Sequence, residues 1–123
     1  MHRAVLATSL VAIAATLAAV PGAATGATPT NVDVSQRLGN ESEEAIAVNP
    51  TNPNNIVVFT NVGHTEAGLT AGMFLAVSFD GGTTWTKRLV GLGTGDNLGD
   101  SCCDPSLSFD QYGNLFMTYL YPS

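Results

Sequence analysis

Two carboxylates stand at matching places in a sequence that repeats itself. Glu43, with Glu44 beside it, precedes the apolar run 45–49, and Asp104 precedes the run 105–110. Acidic side chains at equivalent places in two repeats could point at one shared pocket. The same side chains could instead cap exposed strand ends, a structural reason for which repeat positions often recur. A second group lies in "GDNLGDSCCDP", where Asp96, Asn97, Asp100 and Asp104 offer oxygen ligands of the kind calcium takes. Their spacing is not that of an EF-hand loop, so a solvated loop is the favoured reading and no cofactor is expected.

Cys102 and Cys103 are adjacent and are the only cysteines. Neighbouring Cα atoms lie about 3.8 Å apart, below the usual range for a disulfide. In an oxidising compartment the two either close a strained ring that stiffens the loop or pair with cysteines beyond this sequence. As thiolates alone they make an incomplete zinc site. His64 and Glu66, in "GHTEAG", read as part of a wet loop, and Asn40-Glu41-Ser42 is a glycosylation sequon by pattern.

What must position these groups is a set of short strands. "AIAVN" (45–49), "IVVFTNV" (56–62), "GMFLAVSF" (72–79), "WTKRLV" (85–90), "PSLSFD" (105–110) and "NLFMTYLY" (114–121) are β-rich runs bounded by Gly, Pro and Asn. That pattern predicts an all-β protein. Residues 28–42 are polar and read as a linker or a short edge strand around Val32 and Val34. Residues 45–49 align with 106–110 at an offset of 61, and 55–58 with 114–117 at an offset of 59. Four strands in a period near 60 correspond to a β-propeller blade with long loops. The run 73–79 is apolar on alternate positions yet carries Phe74 and Ala76 between them, as expected of a strand buried on both faces between stacked blades.

Residues 1–27 differ from the rest. His2 and Arg3 precede an apolar run over 4–20, followed by small residues from Pro21. This is the order of a secretory signal peptide, with cleavage expected after Ala24 or Ala27. A retained anchor is the alternative, since the run is just long enough to span a bilayer, but no basic stop-transfer cluster follows it. The mature protein is therefore expected to be secreted, or at least extracytoplasmic. The formal net charge is −6, and loss of Arg3 with the leader makes it one unit more negative. No basic patch is left, which argues against nucleic acid and anionic membranes as partners.

One turn is richer than a hairpin needs. In "SFDGGTTW" (78–85), Ser78, Asp80, Gly82, Thr84 and Trp85 fit the pattern S-x-D-x-G-x-T-W at every specified position. A carboxylate there can accept several turn amides, Gly82 allows a positive φ, and Trp85 can cover the base of the hairpin. The pattern and its place between third and fourth strands resemble the Asp box of the sialidase-like, BNR-repeat β-propellers, over residues 43–121. The resemblance implies four-stranded antiparallel blades, about one and a half of them here, with the box as a folding device. The chain then divides into a signal peptide (1–27), a polar segment (28–42) and a partial propeller (43–123).

Glu43, Glu44 and Asp104 fall by the innermost strands, which line the central channel of such a fold. The resemblance implies a glycoside hydrolase of exo-α-sialidase type; the alternative is a non-catalytic propeller that binds glycan or an extracellular protein. Sialidases of this architecture hold the substrate carboxylate with three arginines and use a tyrosine–glutamate nucleophile and an aspartic acid/base. Their early Arg-Ile-Pro motif is missing, because Leu38 follows Arg37 and Leu89 follows Arg88. The catalytic residues are thus left unassigned. The chain is expected to be an inactive N-terminal piece of a longer protein rather than a module that completes its core by oligomerising.

Overall fold

Turn-forming clusters cut the chain into short apolar segments, and these pair with their neighbours in order. The computed structural model describes residues 30–63, 69, 71–93 and 95–121; the leader, His64 and Glu66 lie outside them. β1 (Glu41–Val48), β2 (Ile56–Val62), β3 (Met73–Ser78) and β4 (Thr86–Val90) form one antiparallel sheet in chain order. β5 (Cys103–Phe109) and β6 (Leu115–Leu120) form a second, two-stranded antiparallel sheet. The fold is all-β, and neither sheet closes on itself among the described residues. Both sheets belong to one compact unit, Asn31–Ser123. Residues 30–40 make bends rather than an edge strand, and Val34 packs against the first sheet.

The internal repeat extends to register and hydrogen bonding. Ala45, Ile46, Ala47 and Val48 face Phe59, Val58, Val57 and Ile56 across β1–β2. Their counterparts Ser106, Leu107, Ser108 and Phe109 face Thr118, Met117, Phe116 and Leu115 across β5–β6. Even the turns correspond. Asn49 donates its N–H to the Asn55 carbonyl (2.9 Å), while its side-chain oxygen accepts the Thr51 N–H (2.9 Å). Asp110 donates to the Asn114 carbonyl (3.0 Å) and its carboxylate accepts the Tyr112 N–H (2.8 Å). An Asx side chain closing its own turn is the physical reason these two positions keep Asn or Asp.

β3 has side chains buried on both faces, as its two-sided apolar pattern implies. On one face Val57, Phe59, Met73, Leu75 and Val90 form the main core, and the second sheet lays Leu107, Phe109, Met117 and Tyr119 on it. On the other, Val62, Phe74 and Ala76 gather Val34, Val58, Leu69, Trp85 and Leu89. The first face brings β5 alongside β1 and β2. That contact places the carboxylates.

Candidate functional site

Glu43 and Asp104 lie inside β1 and β5, not ahead of them as the hydrophobic pattern suggests. Pairing continues past the apolar run because each strand carries one extra residue. Between Ser42 and Ala45, β1 advances three residues while β2 advances two, from Asn61 to Phe59. The same bulge falls between Cys103 and Ser106, opposite Leu120 and Thr118. Each bulge holds its acidic residue in the left-handed region, Glu43 at φ 57° and Asp104 at φ 53°. Non-glycine residues take that conformation at a cost and seldom, and it recurs where a bulge re-aims a side chain.

The two bulges meet. One carboxylate oxygen of Glu43, Oε2, accepts the Asp104 N–H at 2.9 Å and the Asn61 side-chain amide at 2.6 Å. The Thr60 hydroxyl donates to the Ser42 carbonyl (2.8 Å) and ties the bulge to β2. The Asp104 N–H, and after it the Asn61 amide, hold the Glu43 carboxyl below its ordinary range. Glu43 is therefore ionised at neutral pH and acts as an acceptor, not as a proton donor. Glu44 and Asp104 are exposed beside it. Sequence reasoning missed Asn61, although two polar residues, Thr60 and Asn61, inside the apolar β2 run were the available signal.

The loop leading to Asp104 is anchored rather than simply solvated. Asp96 accepts the main-chain N–H groups of Gly91 (2.7 Å) and Leu98 (3.1 Å), which, with the Leu98 bond dominant, lower its pKa. Ser101, fully buried, accepts the Gly72 N–H through its carbonyl (3.1 Å) and donates its hydroxyl to the Gly91 carbonyl (3.0 Å). Cys102 and Cys103 are joined to each other, Cα atoms 3.7 Å apart, so of the two pairings open to them the ring is the one formed. No three or more acidic, His or Cys side chains among the described residues are grouped to hold a metal ion. Nor do the described residues enclose a cavity.

The Ser78–Trp85 hairpin joins β3 to β4, well apart in strand order from β1. Its chemistry is shared differently from the expectation that Asp80 takes several amides. The buried Ser78 hydroxyl oxygen accepts the Gly82 N–H (2.8 Å) and the Asp80 N–H (3.3 Å), and donates to Asp80 (2.8 Å). Asp80 takes the Thr84 N–H (2.8 Å) and hydroxyl (2.6 Å). Trp85 lies on the second core cluster and donates its indole N–H to the Gly82 carbonyl (3.0 Å). Asp110 repeats this device with Asn114, accepting both its N–H (2.9 Å) and its side-chain amide (2.8 Å). The side-chain hydrogen bonds of Ser78, Asp80, Thr84 and Trp85 thus stay within the turn, while the Gly81 N–H and the Ser78 carbonyl tie it to Asn54 and Asn55 of the β1–β2 turn.

These bonds carry a pH signature. The Thr84 hydroxyl, with the Thr84 N–H, lowers the Asp80 pKa from 3.8 to about 2, and Asn114 lowers that of Asp110. A folded-state pKa below the unfolded one stabilises the fold fully above the unfolded value and is lost as pH falls through the folded value. Glu43 and Asp96 shift in the same direction. Melting temperature is therefore expected to be flat from pH 7 to about 5 and to fall between about pH 4 and 2. Asp80→Ala should melt lower at pH 7 and lose less on acidification, as thermal scans across that range would show. A variant with unchanged neutral melting would contradict a folding role for Asp80.

No family model, curated protein or solved structure matches this chain.

Proposed function

We propose that this chain is part of an exported, sialidase-like Asp-box β-propeller that acts on glycans, with its ligand at the Glu43 and Asp104 bulges. The observation that carries this reading is the bond from the Glu43 carboxylate of the first repeat to the Asp104 N–H of the second, at matching bulges. Support also comes from the S-x-D-x-G-x-T-W hairpin between the third and fourth strands of a four-stranded sheet. Stacking of the second sheet on the core face of the first, with β5 against β1 and β2, agrees with neighbouring blades. In that architecture β1 and β5 are innermost strands. An ionised Glu43 with free lone pairs, beside the Asp104 carboxylate, is suited to accepting sugar hydroxyls.

The parent is read as a glycoside hydrolase of exo-α-sialidase type, but one observation favours binding without turnover for the chain by itself. Sialidase chemistry, as the resemblance has it, needs clustered arginines. Arg88 lies in β4, at the opposite edge of the sheet from β1, and Arg37 faces Glu41 at 3.8 Å. The test is to incubate purified residues 28–123 with a fluorogenic sialoside and, separately, with immobilised sialylated and neutral glycans. Glycan retention without aglycone release is the expected result. Turnover that Arg37→Ala abolishes would contradict it, and absence of any retention would remove the glycan from the proposal.

A further inference from the structure

The internal repeat makes the two exposed apolar faces of this molecule complementary halves of one interface. Leu107, Phe109 and Met117 of the second sheet pack on the core face of the first. By the repeat offsets their counterparts are Ile46, Val48 and Val58, all on the far face of the first sheet. There Ile46 is 67% and Val48 52% exposed. The opposite relation holds at the other end. Val57, in the face that receives the second sheet, corresponds to Phe116, which is 59% exposed, and Leu120, further along the same face of β6, is 51% exposed. One end of the molecule thus shows the kind of face that docks, and the other the kind that receives.

From this we infer that copies of the chain associate head to tail, the Phe116 and Leu120 face of one receiving the Ile46 and Val48 face of the next. The inference goes beyond the proposed function and concerns the chain by itself; within a longer propeller the same two faces would be taken by neighbouring blades instead. The template is the sheet-on-sheet contact already inside each chain, repeated between chains. Such a contact is heterologous, joining two different patches, so it extends to rings or open chains instead of stopping at a symmetric dimer. Exposed apolar surface of this sort is otherwise a liability.

Sedimentation equilibrium on residues 28–123 provides the test. Wild type is expected to assemble progressively with concentration, whereas Val48→Asp alone and Phe116→Asp alone should each be monomeric. Mixing the two variants should give a 1:1 dimer and nothing larger, because each supplies the face that the other lacks. A single variant that still dimerises would mean like-to-like docking or edge pairing of strands, and would overturn the proposal. So would a wild type that stays monomeric, leaving the two faces to other sheets of a longer polypeptide. Circular dichroism checks that both variants fold; if Val48→Asp does not, the double change Ile46→Thr with Val48→Thr takes its place, with the same outcomes expected.

Discussion

Phe59→Ala is expected to destabilise the protein by about 3–5 kcal/mol, the range for truncating a fully buried aromatic ring. Phe59 is 0% exposed at the centre of the main core. Its ring also meets Tyr119 of the second sheet edge-on, with centroids 6.1 Å apart. The cavity would therefore open in the layer that joins the two sheets. Domains of this size are stable by only about 5–15 kcal/mol in total, so the variant should retain a small part of its stability. Urea unfolding measures it directly, and a midpoint within error of wild type would mean that the sheets are not held together through Phe59. Tyr119→Leu should cost less, on the order of 0.5–1.5 kcal/mol beyond lost area, since it removes the ring pair but keeps an apolar filler.

Gly91→Ala should be nearly as damaging, for a different reason. Gly91 is buried with φ +67°, and an added Cβ would overlap the Ser101 hydroxyl and come within 2.6 Å of the Ser101 Cβ. Ser101 has no room to yield, because its backbone and hydroxyl are bonded to Gly72, Val90 and Gly91. Left-handed strain of about 1–2 kcal/mol adds to overpacking of about 1–3 kcal/mol. Gly95→Ala is the control: its φ is +90°, but nothing stands within 4 Å of the added carbon. The control should lose only the strain. Equal losses in the two variants would show that the Ser101 contact carries no weight. A disrupted loop should also release the Gly91 N–H from Asp96, detectable as faster hydrogen exchange at that amide.

Much of the fold was legible because strand, turn and repeat signals agree. The offsets of 61 and 59 reproduce the observed register residue for residue, since a two-residue difference in turn length leaves side-chain alternation intact. Ser78, Asp80, Gly82, Thr84 and Trp85 all act within one hairpin, although the acceptor of the turn amides is chiefly the serine. The bulges were not legible. Glutamate has no special liking for the left-handed region, and "ESEE" and "CCDP" lack the alternation that marks a strand, so both strands seem to begin later than they do. Nor could adjacency decide how Cys102 and Cys103 pair, because sequence does not carry the position of a partner. The anchored state of the Asp96 loop depends on Ser101, an ordinary residue by type whose role comes from where the chain returns.

The most direct test of the central claim, that the Glu43 and Asp104 bulges form the ligand surface while the Asp80 hairpin serves folding, is an amide-resolved NMR titration of residues 28–123 with sialyllactose and with lactose. The account predicts shifts concentrated at Glu43, Glu44, Asn61 and Asp104, absent from 78–85, and reduced in Glu43→Gln, which should stay folded while melting somewhat lower at pH 7 because it gives up the ionised acceptor of the Asp104 N–H. Shifts centred on the Asp80 hairpin, or none at the two bulges with either sugar, would contradict it.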